Sequence, residues 1–301
     1  VKETDAIIKI VRACVCGSDL WWFRGISERQ PGPVGHEAIG LIEEVGTGVK
    51  NFKVGDFVIV PFTHGCGHCP ICLAGFEANC PNAKDGVNGG YQGEFYRAIN
   101  ADGALVKIPG QPSDYSDDQL ASLMTLADVM PTGFHAAKAA DVHEGDTVVV
   151  FGDGAVGLCA VISAKLLGAK RIIAMSRHED RAALARDFGA TDIIAERGEE
   201  AIQKIMFLTN GYGADAALEC VGTKQAIESA FQAVRAGGRV GRVGVPHDVD
   251  YNEWIDSLFW KNIQLGGGVA SVARWDKEIL LEAVLSGEIN PGRVFTAEFS
   301  L

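Results

Sequence analysis

"TVVVFGDGAVGLCAV", residues 147–161, changes the character of the chain within fifteen positions. "TVVVF" is a strand of β-branched residues closed by Phe151, and "AVGLCAVISAKLLG" continues as a helix. Between them Gly152, Gly154 and Gly157 form G-x-G-x-x-G. Gly152 permits the tight turn, Gly154 lets the backbone approach a pyrophosphate, and Gly157 lets the helix pack closely on the strand. The helix N-terminus then faces the anion. Alone the motif is weak, and a ligand-free glycine turn is the alternative. Its place between a strand and a helix is the context that supports a dinucleotide site.

The surrounding text has the same rhythm. "RIIAMS" is a strand and "HEDRAALARDFG" a helix, "DIIA" a strand and "EEAIQKIMFLTNG" a helix. "ADAALECV" is then a strand, "KQAIESAFQAVRAGG" a helix and "RVGRVGV" a strand. Such alternation builds a parallel sheet with helices on both faces, a doubly wound α/β unit. A dinucleotide fold of this kind usually carries an acid about twenty residues past the glycines, for the adenosine ribose of NAD. Here Ser176 and Arg177 stand at the end of "RIIAMSR". A hydroxyl and a guanidinium would bind a 2′-phosphate that a carboxylate would repel, so the expectation is NADP over NAD. The alternative is a solvated Arg177 at a strand end, with Glu179 and Asp180 close by.

Before about Pro112 the text is different. "AIIKIVRACVC", "AIGLIEEVG", "FVIVPF" and "GEFYRAI" are short strands punctuated by Gly and Pro, an irregular β domain. "PSDYSDDQLASLM" then opens a helix behind Ser and Asp caps. Within the β text, "CGHCPICLAGFEANC" (66–80) places Cys66, Cys69, Cys72 and Cys80 as C-x2-C-x2-C-x7-C. Four thiolates so spaced complete a tetrahedral zinc shell that leaves no position open, hence a structural rather than a catalytic ion. Disulfides are the rival pairing, disfavoured because nothing else in the chain looks secreted. His68 inside the cluster reads as a surface loop residue.

The 301 residues are 47% hydrophobic and 22% charged, ample for two domains. No apolar run reaches the length of a membrane span. The formal charge of −12 argues against nucleic-acid and anionic-membrane partners. A cytoplasmic location is expected. The chain begins at Val1 inside a strand and stops at Leu301 within a pattern, so the natural protein is expected to continue beyond both ends.

Further metal-ligating types lie apart: Cys16 in "VCGSDLW", His36 and Glu37 in "GPVGHEAIG", Asp128 in "TLADVMPTGFH". Each has a bland reading, and spacing alone does not unite them. The stretch "GHEAIGLIEEVGTGV", Gly35 to Val49, has the pattern G-H-E-x2-G-x5-G-x2-V. It is followed by the four-cysteine loop and then by the dinucleotide turn. In that order the chain resembles, over essentially its whole length, the zinc-dependent alcohol dehydrogenases of the medium-chain dehydrogenase/reductase family.

The resemblance implies a GroES-like β domain with the structural zinc loop (1–127), a Rossmann domain (128–266) and a truncated return segment (267–301). It also implies two zinc ions per subunit. The structural ion belongs to the four cysteines, and the catalytic ion to Cys16, His36 and Asp128, with Glu37 as a neighbour able to approach it. Asp19 matches the carboxylate that orients the ligand histidine. Ser18 matches the hydroxyl that hydrogen-bonds the substrate oxygen, a helix-capping serine being its bland alternative. The implied cofactor contacts are Gly152, Gly154, Ala155, Val156, Gly157, Ser176, Arg177, Arg181 at the adenosine, Val221, and Val243, Gly244 and Val245 beside the nicotinamide. Trp21 departs from the family, since many members carry there a histidine that ends the proton relay, and an indole cannot accept a proton. The expected activity is hydride transfer between NAD(P) and an alcohol, aldehyde or ketone. Polyol or amino-alcohol oxidation is the near alternative. A zinc-free reductase, or a non-catalytic zinc-stabilised nucleotide-binding protein, is the distant one. The strand edge near Ile263 to Leu265 implies a homodimer or homotetramer by the same resemblance.

Overall fold

The computed structural model describes residues 1–25, 28, 32–83, 89–246, 255–270 and 274–300. Chain contacts divide the protein into one unit of Val1–Pro131 with Ser271–Leu301, and a second of Thr132–Ala270.

The first unit is built on β1 (Ala6–Ala13), β2 (Ala38–Val45), β3 (Phe57–Val60), β4 (Phe95–Ala98) and β5 (Val106–Ile108). They form an antiparallel sheet in the order β4-β1-β2-β3-β5. Side chains two apart on a strand share a face, and Ala6 with Ile8, Val58 with Val60, and Tyr96 with Ala98 supply one buried cluster with Phe52, Tyr91 and Leu105. Short helices α1 (Leu20–Phe23), α2 (Pro70–Leu73) and α3 (Ala101–Ala104) punctuate the loops, followed by α4 (Asp117–Thr125); α5 (Val129–Ala139) starts in this unit and runs mostly in the second. The predicted helix start at "YSDDQ" is realised as a reciprocal cap. Ser116 Oγ accepts the Gln119 N–H at 3.3 Å, and Gln119 Oε1 accepts the Ser116 N–H at 3.0 Å.

The second unit carries β6 (Thr147–Phe151), β7 (Arg171–Met175), β8 (Asp192–Ile194), β9 (Ala214–Glu219), β10 (Val234–Arg242) and β11 (Gln264–Gly267). All pair in parallel, in the order β11-β10-β9-β6-β7-β8. The order reverses between β6 and β9, the switch point where such sheets bind nucleotides at their strand C-termini. Helices α6 (Ala155–Leu166), α7 (Glu179–Phe188), α8 (Gly198–Leu208), α9 (Lys224–Ala233) and α10 (Ile255–Lys261) connect the strands. Val148, Val149 and Val150 are all fully buried, the unbroken apolar run expected of a strand covered on both faces.

One boundary differs from its sequence reading. The helix drawn through "AVRAGG" ends at Ala233, because Val234 takes extended backbone and pairs in parallel with Ala214 from a fully buried position. The last long helix, α11 (Arg274–Leu285), belongs to the first unit. Among the described residues no helix is long and apolar enough to cross a membrane.

Candidate catalytic metal site and nucleotide-binding turn

Strand β1 runs out at Ala13 into extended chain, so Cys14 and Cys16 lie on one side and Val15, 61% exposed, on the other. The chain then tightens into a 3-10 turn, Gly17–Asp19, and Asp19 Oδ2 accepts the Cys16 N–H at 3.0 Å. His36 and Glu37 lead into β2, and Asp128 stands between α4 and α5. Together Cys16, His36, Glu37 and Asp128 bring their ligand atoms within 4.8 Å of one another, although 92 residues separate His36 from Asp128.

Polar neighbours orient each ligand. His36 Nδ1 is 3.3 Å from Asp19 Oδ1, which directs Nε2 into the cluster, 3.2 Å from Asp128 Oδ2 and 3.8 Å from Glu37 Oε1. Burial works against charge on His36, but hydrogen bonding to Asp128, Asp19 and Cys16 outweighs it and draws the ring's pKa far up. Glu37 is 1% exposed, and neither of its carboxylate oxygens has a hydrogen-bond partner among the described residues. Burial, then the Asp128 charge, pushes Glu37 up to about 8. A buried carboxylate pair beside a thiol and an imidazole is a site short of positive charge. The mixed sulfur, nitrogen and oxygen donors suit a tetrahedral zinc with an open position.

Cys14 lies beside this group. Its thiol is held protonated by burial and then by the Glu37 charge. Cys14 was not singled out in the sequence, although its C-x-C spacing with Cys16 on extended chain puts it on the ligand side. Ser18 lies half-buried inside the 3-10 turn, so it does not cap a helix, and Trp21 and Trp22 belong to α1.

Cys66, Cys69, Cys72 and Cys80 form a second cluster within 4.8 Å. The Cys69 sulfur is 3.6 Å from that of Cys72 and 3.9 Å from that of Cys80, too far for a disulfide. N–H groups point at the sulfurs: Cys66 donates to Cys80 at 3.3 Å, Cys72 to Cys69 at 3.5 Å, and Asn82 Nδ2 to Cys66 at 3.4 Å. Burial opposes it, but donors from Asn82, His68 and Cys69 pull the Cys66 thiol down to about 6. Burial pushes Cys72 up to about 12, so metal entry there releases a proton. His68 faces the Cys66 carbonyl at 2.8 Å, apart from the sulfurs. The lobe also rests on groups the sequence did not flag. Glu77 accepts the Arg274 N–H at 3.1 Å, and Lys277 is buried nearby in the field of Glu77 and Cys72.

In the second unit Gly152 has φ +115°, and a Cβ on Gly157 would fall 2.0 Å from the Gly152 carbonyl oxygen. A Cβ on Gly154 would meet nothing within 4 Å, so this glycine faces open space. Gly154 caps α6 without any side-chain hydrogen bond, leaving the N–H groups around Ala155, Val156 and Gly157 available to an anion. Ser176, at the end of β7, donates its hydroxyl to Asp153 Oδ2 at 2.9 Å, and Arg181 pairs with Asp153 Oδ1 at 3.2 Å. Arg177 is exposed. Asp153, a variable position of the glycine motif, went unremarked in the sequence; the fold makes it the link between two of the predicted adenosine contacts. Val221, Val243, Gly244 and Val245 follow the C-termini of β9 and β10.

Comparisons with known proteins show the family. Residues 2–110 match the alcohol dehydrogenase GroES-like domain, and residues 155–277 match the zinc-binding dehydrogenase family. Zinc-type alcohol dehydrogenase B of Aspergillus flavus is 38% identical over 277 residues, covering 88% of this chain and 63% of that protein. The NADP-dependent isopropanol dehydrogenase of Thermoanaerobacter brockii is 36% identical over 313 residues, covering 98% of this chain and 85% of that one. Among solved structures, alcohol dehydrogenase TADH from Thermus sp. ATN1 superimposes with a TM-score of 0.86 at 30% identity, covering 97% of this chain and 85% of that one. The chain belongs to the zinc-dependent alcohol dehydrogenases of the medium-chain dehydrogenase/reductase family, oxidoreductases that interconvert alcohols with aldehydes or ketones.

Proposed function

We propose that this protein binds two zinc ions, one catalytic at Cys16, His36 and Asp128 and one structural at the four cysteines, and transfers hydride between NADP(H) and a small alcohol or carbonyl compound. The observation that carries the reading is the buried, cation-deficient group around Glu37, whose carboxylate oxygens lack hydrogen-bond partners among the described residues. Zinc bound there supplies Lewis acidity toward the substrate's hydroxyl or carbonyl group.

The chain's own residues do the rest. Asp19 fixes the His36 tautomer by engaging Nδ1, and through the Cys16 N–H it sets the backbone of the thiolate ligand as well. Glu37, buried beside the other three, would be a further oxygen donor to the ion. Ser18 is the hydroxyl that hands on the substrate proton. Trp21 offers no proton acceptor to continue that relay, so the proton would leave Ser18 to water.

NADP is favoured because Ser176 and Arg177 replace an acid at the end of β7, and because the Thermoanaerobacter brockii relative is named as NADP-dependent. Ser176→Asp with Arg177→Ile is expected to shift the kcat/KM ratio toward NAD by an order of magnitude or more, about 1.4 kcal/mol. An undiminished preference for NADP in that double variant would place the phosphate pocket elsewhere. The homodimer or homotetramer, with β11 at the sheet edge and Leu265 40% exposed on it, and the cytoplasmic location are proposed with the family.

The deciding experiment is elemental analysis of zinc per subunit before and after Cys16→Ala, alongside NADP-linked alcohol oxidation. The expected result is two zincs falling to one, with turnover lost. One zinc that survives the substitution would favour a zinc-free reductase or a non-catalytic nucleotide-binding protein.

A further inference from the structure

The two loops that follow β9 and β10 are tied to a single buried residue, the first through its side chain and the second through its main-chain oxygen. Glu219, the last residue of β9, is fully buried, and its Oε1 accepts the Val221 N–H at 2.8 Å and the Gly222 N–H at 2.7 Å. Its main-chain oxygen accepts the Val243 N–H at 2.9 Å and the Gly244 N–H at 3.1 Å. One residue therefore holds four consecutive-loop amides, two from each loop. Arg242, the last residue of β10, stands opposite Glu219 in the strand register, with Nε 3.7 Å from Glu219 Oε2.

The loops are also in direct backbone contact. Gly222 has φ +90°, and a Cβ there would fall 2.1 Å from the Val245 carbonyl oxygen. A Cβ on Gly244 would fall 2.1 Å from the Gly222 nitrogen. On its other side the first loop meets the dinucleotide turn, since a Cβ on Gly152 would be 3.1 Å from Val221 Cγ2. No side chain fits between these strands of backbone; the second loop is held by the Glu219 main-chain oxygen, and the first, which packs against it, by the Glu219 carboxylate. A carboxylate that takes two amide N–H bonds at such lengths is the strong, charge-assisted kind. Removing it leaves buried donors unmet.

We propose that Glu219, with Arg242 opposite, is a positioning residue for the nicotinamide half of the cofactor. Its carboxylate fixes Val221 and Gly222, against which Gly244 and Val245 pack, as one wall, while the adenosine half, served by Gly154, Ser176 and Arg181, does not depend on it. This rests on the cofactor reading given under Proposed function.

The test compares NADPH with adenosine 2′,5′-bisphosphate, which has no nicotinamide, by calorimetric titration of the purified protein. Glu219→Ala is expected to weaken NADPH about tenfold or more, the scale of lost buried hydrogen bonds, and to leave the bisphosphate within about twofold, as for independent sites. Glu219→Asp, which keeps the charge but withdraws it by one methylene, is expected to show the same split in milder form. Glu219→Gln, whose amide oxygen still accepts both N–H groups, is expected to restore most of the NADPH affinity. Equal weakening of both ligands in the Ala and Asp variants would mean general loosening of the unit and overturn the inference, as would unchanged NADPH affinity. A wild type that binds neither ligand would overturn the cofactor reading and this inference with it, whereas a wild type that binds both keeps the first and tests only the second.

Discussion

At the scale of single residues, His64 illustrates how surroundings set chemistry. Its Nε2 lies 3.0 Å from both the Tyr91 and Tyr96 hydroxyls, and those two rings stack at 3.9 Å. Burial, then the positive field of Lys277, pushes His64 down to about 4. A histidine held neutral in the fold but free to charge when unfolded binds more protons in the unfolded state between that value and its ordinary 6.5. Stability is therefore full above pH 6.5 and is lost as pH falls toward 4. Between pH 7 and 5 this one group is expected to cost about 2 kcal/mol. Urea unfolding of wild type and His64→Gln at both pH values checks it: the variant should show a shallower acid loss, and parallel curves would remove His64 as the cause. The same scale marks where sequence patterns are blind. His36 and Glu37 were legible in the G-H-E pattern and Cys16 through the family resemblance, but Asp153 stands at a position the glycine pattern leaves free. Its partners Ser176 and Arg181 are more than twenty residues away, brought to it only by the parallel pairing of β6 with β7.

At the scale of elements, periodicity was a good guide because strands and helices here bury what their patterns say. The run of three fully buried valines in β6 and the capped start of α4 were both visible in the text. The α9–β10 junction was not: "AVRAGG" is compatible with a helix end, and the pairing of Val234 with Ala214, twenty residues earlier in the chain, decides for strand. The strand–turn–helix around β6 and α6 carries its own test. Gly157 is required by packing, since any Cβ would strike the Gly152 carbonyl, but Gly154 has nothing near it in the protein. We propose that its lack of a side chain serves a ligand instead. Gly154→Val is expected to leave the melting temperature nearly unchanged and to weaken NADPH binding by about a hundredfold, as a cradle filled by its own side chain. A large fall in melting temperature with intact binding would assign Gly154 to folding.

At the scale of the whole molecule, the two units divide the labour by chemistry. Thiolates, imidazole and carboxylates gather in the unit of Val1–Pro131 and Ser271–Leu301, and the glycine-rich turn lies in the unit of Thr132–Ala270. The four-cysteine lobe is internal to the first, with Arg274 of α11 anchoring Glu77 beside it. Cys72→Ser is expected to release the structural ion proposed there and to lower stability by about 3 kcal/mol or more, the scale reached where metal binding contributes folding free energy. NADPH affinity should stay within about twofold. Scanning calorimetry with zinc analysis reads both; an unchanged transition with one zinc lost would make the lobe's ion dispensable for folding.

The sequence by itself determined the class of each half, the glycine turn, the four-thiolate loop and the family. Those features are written in contiguous residues, where spacing along the chain fixes spacing in space. Beyond the ligands joined by the family resemblance, only the tertiary structure decided which separated groups meet: Cys14 beside Glu37, Asp153 between Ser176 and Arg181, and Glu219 beneath two loops. Such meetings depend on sheet order and strand register, and on which buried charges find partners. Those are properties of the packed chain, which no local pattern of residue types encodes.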